Sequence, residues 1–309
     1  MTDIKKAAPY LAGIGFATIF GFSFLIVKNT LNSVEVFQLL GLRFLIAAVM
    51  FELLRITKII KINLKFKDIV KLLPVAVFQP VLYFITEVYG IKYSASSDAG
   101  LFIGMIPVAV ALISWIFLKE KLNLKQTIFM SISIGGVAFI SIMQMNGTSG
   151  DTKVIGYLFL IGAVIAAAFY NMFSRKASSK HSPLEITYVM MLTGAIVFNI
   201  LGIGDSLLQG YNYFSPLFNI ETIVAILYLG ILSSVIAFFL VNFTLSKIPA
   251  VQSSLFANLI TVISIIAGVI FLQESFTIYK IIGSICIIIG VFGTSYFSSK
   301  NKKEISNEY

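Results

Sequence analysis

The chain holds one cysteine and one histidine in 309 residues, and charged side chains make up only 12% of it. Each scarcity excludes something. Cys286 alone can form no disulfide within the chain, and it sits in an apolar run as a small core residue would. His181 alone, in a basic connector, leaves no histidine cluster to hold a metal. The patterns G-x-S-x-G, H-E-x-x-H and Walker A are all missing, so ATP-driven work by this chain and the common hydrolase chemistries are not expected. No cofactor is expected either. The shortage of charge excludes most: a soluble chain carries roughly a quarter charged residues, and this one cannot build a water-facing surface from half of that.

What is present is hydrophobic, at 58% of the chain. Runs long enough to cross roughly 30 Å of hydrocarbon fall at 9–27, 36–54, 69–90, 95–118, 126–144, 154–174, 184–203, 219–243, 249–272 and 278–297. The first is longer than the core of a signal peptide and no small-x-small cleavage site follows it, so it reads as a span. The longest connectors, about 145–153 and 204–218, are too short for a soluble domain. Function is therefore expected inside the helix bundle.

The net charge of +9 comes from basic residues scattered among short connectors, with no nucleic-acid-reading motif beside them. It reads as topology. With the N-terminus in the cytoplasm, 18 lysines and arginines fall inside, among them the run Arg55, Lys58, Lys61, Lys65, Lys67 and Lys71. Only Lys28, Lys92, Lys153 and Lys280 fall outside, and Arg43 lies within a span. Ten spans with both termini cytoplasmic are the expectation, in the plasma membrane among lipid.

The chain repeats itself. At an offset of 154 residues, Leu101, Phe102 and Val108 meet Leu255, Phe256 and Val262. Phe117, Leu118 and Glu120 meet Phe271, Leu272 and Glu274, and Gly136–Val137 meet Gly290–Val291. At 147, Tyr10, Gly15, Phe22 and Lys28 meet Tyr157, Gly162, Phe169 and Arg175. Five spans per half is an odd number, so the halves enter the membrane from opposite sides. The expected fold is an all-α integral membrane protein of ten transmembrane helices in two inverted five-helix repeats, 1–148 and 149–309. Such symmetry suits a carrier in which one half rocks against the other about a central site.

Pro107 followed by F-L-K-E-K-L at 117–122 and I-G-G-V at 134–137 resembles the EamA-type module of the drug/metabolite transporter superfamily. L-G-I-L-S-S-V-I-A-F at 229–238, F-L-Q-E-S-F at 271–276 and I-I-G-V at 288–291 resemble a second copy. The resemblance implies a ten-helix bundle and transport, often export, of amino acids, other metabolites or drugs. In one departure from the pattern, Thr261 stands where the second copy would carry the match to Pro107.

Polar residues at helical spacing in the spans mark candidate cavity walls, because in hydrocarbon they must face protein or water. The 69–90 run places Gln79, Tyr83, Thr86, Glu87 and Gly90 on one face, with Pro80 removing a backbone donor and allowing a bend beside Gln79. Ser254, Asn258 and Thr261, and Ser234, Phe238 and Asn242, repeat that spacing. Tyr170 with Asn171, Phe20 with Ser23, and Phe102 complete a candidate lining; each is equally readable as interhelical glue. Arg43 lies deep in the 36–54 run, where a cation is costly and is either functional or part of a structural ion pair. Glu87 and Asp98 could each pair with it, and a carboxylate there could exchange protons as the coupling ion. Glu120 and Glu274 read as caps on helix N-termini. Gly13, Gly21, Gly135 and Gly136 read as close helix contacts.

The expectation is a secondary carrier, not an enzyme, that exports amino acids or related small metabolites. A drug or cationic-compound efflux carrier of the same fold is the alternative, and an intramembrane lipid-modifying enzyme is the alternative from another class.

Overall fold

A computed structural model describes residues 2–118, 123–145, 150–275 and 277–307, and the regular structure among them is entirely helical. In chain order the helices are α1 (Thr2–Thr30), α2 (Val36–Ile56), α3 (Phe66–Ala76), α4 (Tyr83–Tyr93), α5 (Ser96–Ile103), α6 (Ile106–Leu118) and α7 (Leu124–Met145). There follow α8 (Gly150–Ala177), α9 (Pro183–Gln209), α10 (Ile220–Leu227), α11 (Phe238–Lys247), α12 (Ala250–Ser254), α13 (Phe256–Leu272) and α14 (Ile278–Asn307). Helical hydrogen bonding satisfies nearly all backbone polar groups within a segment, which is what a lipid-embedded chain needs.

Local sequence sets the ends. Ser182 caps α9 by accepting from the Glu185 N–H, Pro183 occupies the first helical position, and Gly210 closes the helix at φ +76°. Asn219 accepts from the Glu221 and Thr222 N–H groups to start α10.

Two long helices are interrupted by π-helical turns. Val77–Leu82 joins α3 to α4, with Gln79 outside helical geometry at φ −148°, ψ 115°. The bend expected beside Gln79 is therefore present. Tyr228–Ala237 joins α10 to α11 in the same manner. The 95–118 run divides at Gly104–Met105, just ahead of Pro107, and the 249–272 run divides at Leu255 rather than at Thr261. Thr261 instead donates its hydroxyl across to the Gly100 carbonyl at 2.6 Å.

Among the described residues, six helical spans are long and apolar enough to cross a membrane, and three shorter apolar helices accompany them (Leu124–Ile140, Phe256–Leu272, Ile278–Thr294). Helix α2 has 21 residues and carries Arg43. Among the described residues, the count by length and composition is thus smaller than the ten runs of the sequence.

The main packing pairs join the first and second halves of the chain: α7 with α14, α2 with α9, α4 with α8, α1 with α13, and α5 with α13. Contacts recur at the sequence offsets. Lys28 Nζ donates to the Ile91, Lys92 and Ser94 carbonyls at 2.9, 3.3 and 2.5 Å, and Arg175 Nη1 donates to the Leu245 carbonyl at 2.5 Å. Ile91 and Leu245 are separated by one of the two offsets, Lys28 and Arg175 by the other. Phe84 and Phe238, also offset mates, meet edge to face at 5.8 Å in the core.

Helices α7 and α14 approach most closely at glycines. A Cβ on Gly136 would lie 2.8 Å from the Gly283 carbonyl oxygen, and one on Gly290 would lie 2.5 Å from both the Phe129 carbonyl oxygen and the Ser133 nitrogen. Gly135, expected at a helix contact, faces open space instead. It lies one position, about 100°, away from Gly136 around the helix. Gly290→Val should destabilise the protein by about 1–3 kcal/mol through overpacking, seen as a lower thermal midpoint in detergent. Gly135→Val should leave that midpoint unchanged.

Candidate functional site

A cavity of about 60 Å³ lies among α1, α4, α8, α11 and α13 and the breaks of two spans. Seven of the residues expected from the sequence line it: Phe20, Gln79, Tyr83, Tyr170, Asn171, Phe238 and Ser254. Phe16, Phe24, Ser253 and several aliphatic side chains complete the wall. The volume has room for several waters, whereas pockets for drug-sized ligands run to roughly 300–1,000 Å³. The cavity is contracted.

The remaining candidates lie behind the wall. Asn242 is fully buried with its amide saturated: Oδ1 accepts from Tyr170 at 2.9 Å and Ser174 at 2.6 Å, and Nδ2 donates to Thr187 at 2.9 Å. It fixes the Tyr170 ring that does reach the cavity. Ser23 donates to the Ile19 carbonyl of its own helix, and Phe102 packs on Tyr157 with centroids 5.0 Å apart. Asn258 is half-buried outside the cavity lining. On the α4 face, Thr86 and Gly90 turn toward Gly162 and Leu160 of α8 and do not join Gln79 and Tyr83 in the lining.

Arg43 is 1% exposed and held in detail. Nε donates to Ser234 and Nη2 to Ser233, both at 2.8 Å, and the guanidinium lies 4.2 Å from the centroid of Phe84. It pins the π-turn Tyr228–Ala237 against α2. Ser234 was legible as a polar position in the sequence; Ser233 was not, since it lies off the spacing.

Glu87 is buried, with Oε1 accepting from Tyr83 at 3.0 Å and Oε2 lacking a hydrogen-bond partner. Its charged neighbour is Arg43, farther away than an ion pair. Asp98 pairs elsewhere. Its carboxylate meets Lys280 Nζ at 2.6 Å and accepts from Tyr157 at 3.1 Å. Of the two carboxylates offered as partners for Arg43, Asp98 is drawn away because α5 packs on α13, beside the start of α14 that carries Lys280. Lys280 counted only as a connector charge in the sequence, yet it is 4% exposed.

Glu274 caps a helix, though not the one that follows it. Oε1 accepts from the Ser96 N–H at 2.7 Å and the Ser96 hydroxyl at 2.8 Å, and Oε2 accepts from the Ser97 N–H at 3.0 Å. The capped terminus is that of α5, in the other half of the chain. Burial pushes the Glu274 carboxyl up, but the hydrogen bonds from Ser97 and Ser96 outweigh it and hold the group below the usual carboxylate range. Lys28, Glu274 and the Asp98–Lys280 pair thus tie the bundle together at the end where α4 meets α5. Glu120, the offset mate of Glu274, lies outside the described residues.

Comparison with known proteins decides the family. The model of the EamA-like transporter family matches residues 7–142 and again 154–296. The chain belongs to the EamA-like transporter family. EamA-like proteins are transporters, so this is a membrane transport protein and not an enzyme. It is similar to the uncharacterized transporter YcxC of Bacillus subtilis, 34% identical over 98% of this chain and 97% of that one. An uncharacterized transporter of Archaeoglobus fulgidus is 26% identical over 89% of this chain and 94% of its own. A solved crystal structure superposes with a TM-score of 0.63 at 18% identity, covering 93% of this chain and 96% of that one. That likeness speaks for the fold alone.

Two outcomes follow for this EamA-like chain. Asp98→Ala leaves Lys280 buried without its partner and should cost about 3–5 kcal/mol, read as a fall in thermal midpoint; Asp98→Ala with Lys280→Met should recover most of it. Glu274→Ala should destabilise fully above the ordinary carboxylate range. The gap from wild type should close as pH falls through the lowered value of Glu274, because the cap then protonates in the parent as well. Thermal midpoints measured across pH check the sign.

Proposed function

We propose that this chain is a secondary carrier of two inverted five-helix repeats, 1–148 and 149–309, with ten membrane spans and both termini cytoplasmic, in the plasma membrane. It exports amino acids or related small amphipathic metabolites by alternating access through the central cavity. The observation that carries this reading is the central cavity walled by helices of both halves, α1 and α4 from the first and α8, α11 and α13 from the second, beside two interrupted spans. A site shared by both halves is what a carrier that rocks one half against the other requires. The π-turns support it, since irregular backbone at membrane depth is tolerated where it is buried in protein or lines a cavity.

Aromatic rings with amide and hydroxyl edges suit a solute with one apolar and one polar part. The second reading, efflux of drugs or cationic compounds, is favoured by a single feature. Rings from Phe16, Phe20, Phe24, Tyr83, Tyr170 and Phe238 dominate a wall whose lining includes no charged side chain, and aromatic faces attract cations.

Counterflow in proteoliposomes separates these readings. Protein loaded with an unlabelled amino-acid panel should take up the labelled counterpart of at least one member; uptake confined to an aromatic cation would favour the efflux reading. Absence of flux for every solute, together with lipid turnover by the detergent-purified protein, would overturn both. Gln79→Leu should weaken apparent affinity about fivefold, the equivalent of one hydrogen bond near 1 kcal/mol, while Ile282→Val on the exposed side of α14 should not change it.

A further inference from the structure

Glu87 has no role in holding the helices together that its surroundings would explain. It is 4% exposed, at the middle of α4, and its Oε2 atom is buried without a hydrogen-bond partner. An ionised carboxylate with one oxygen unpaired is among the costliest groups to bury. A proton on Oε2 removes the charge and leaves Oε1 as an ordinary carbonyl acceptor. That acceptor role is the one Oε1 plays here, taking the Tyr83 hydroxyl at 3.0 Å.

Tyr83 makes the site more than an isolated acid. Its ring lines the cavity while its hydroxyl reaches back to Glu87. The hydroxyl proton is committed to Glu87, so toward the cavity the Tyr83 oxygen offers lone pairs. A solute N–H or ammonium that donates to that oxygen completes a chain from solute to tyrosine to carboxylate. Such a chain is strongest when its last member is ionised, because charge-assisted hydrogen bonds are stronger and neighbouring bonds polarise one another. By linkage, whatever binds more tightly to the ionised form displaces the proton, and the proton displaces it in turn.

The groups facing Glu87 are compatible with this exchange. Arg43, on α2, lies over the ring of Phe84 on the same helix as Glu87 and forms no ion pair with it, its guanidinium being occupied by Ser233 and Ser234. Tyr83 is on the same helix as Glu87. Helices α1, α5, α8 and the π-turn Val77–Leu82 also pack on α4; Lys28 of α1 is taken up by the Ile91, Lys92 and Ser94 carbonyls, and Asp98 of α5 by Lys280 and Tyr157.

We infer that Glu87 is a proton-binding site coupled to the cavity through Tyr83, so that a proton on Glu87 and an ammonium-bearing solute in the cavity are alternative occupants. The solute then leaves as a proton enters. The balance is simple: the carboxylate takes one proton on Oε2 from water at one face and returns it at the other, with no redox change and no covalent step. This inference rests on the carrier reading above and adds the coupling ion and the charge of the polar group that the cavity takes.

The test does not depend on knowing the cargo. Infrared difference spectra of the full chain in lipid, recorded across pH, should show a protonated-carboxyl band that disappears as pH rises. Glu87→Gln should remove that band and Glu87→Asp should retain one. Tyr83→Phe deletes a donor to the ionised form, so its band should persist to higher pH. Phenethylammonium, titrated into the wild type at the midpoint, should lower the band, whereas acetophenone, which has no donor, should not. Identical spectra for wild type and Glu87→Gln would overturn the proton site, and an unmoved Tyr83→Phe midpoint would overturn the coupling. A band indifferent to phenethylammonium would overturn the exchange. In proteoliposomes, external acid should speed efflux of any solute that shows counterflow, and the ratio of acid to neutral rates should fall to about one in Glu87→Gln. If no solute shows counterflow the carrier reading fails by itself, while the spectra still decide the role of Glu87.

Discussion

Hydrocarbon offers no hydrogen bonds to a polypeptide, and nearly everything in this structure answers that constraint. Within helices the backbone satisfies itself. The demanding places are the ends and breaks, and polar side chains from other helices and connectors reach them. Lys28 takes up three carbonyls at the end of α4, Arg175 does the same for Leu245 at the end of α11, and Glu274 accepts the N–H groups that start α5. Inside the π-turn Tyr228–Ala237, Ser234 donates to the Leu229 carbonyl while also accepting from Arg43. Charges that would be expensive as free ions in lipid are affordable as partners for backbone that helix geometry leaves open.

Much of this was legible in the sequence because the constraint acts on composition. The apolar runs and the shortage of charge report on a chain that must bury its backbone in lipid. Spacing on the 69–90 run identified Gln79 and Tyr83 as cavity wall, and Pro80 identified the bend. What the sequence concealed were the partners across helices. Spacing along one helix fixes which residues share a face and says nothing of what that face meets. Asn242 and Asn171 read alike as buried amides; one is saturated by Tyr170, Ser174 and Thr187, and the other reaches the cavity. Asp98 and Glu87 read alike as carboxylates near Arg43. The packing of α5 on α13 gives one of them to Lys280, and nothing comparable approaches Oε2 of the other.

Arg43 shows how a single cation can serve both halves of the chain. It belongs to α2, yet its hydrogen bonds go to the π-turn following α10 and its face rests on Phe84, which in turn meets Phe238. A change in the angle between halves must therefore be felt at this side chain. Flat ring contacts and two hydroxyl acceptors let it follow small displacements more easily than a bidentate carboxylate would, since a fork-to-fork pair fixes orientation.

The contracted cavity has a consequence for kinetics. In the proposed carrier, a space of about 60 Å³ is far below the roughly 300–1,000 Å³ of pockets that hold drug-sized ligands, so part of each encounter's binding energy would go into separating helices that otherwise pack. Solutes that recover this work only at the widest point of the cycle cross quickly while binding weakly at rest. Those that hold the widened state too well stall there. Among a homologous series of solutes, the best passenger should not be the tightest ligand, as differential binding along a reaction path requires.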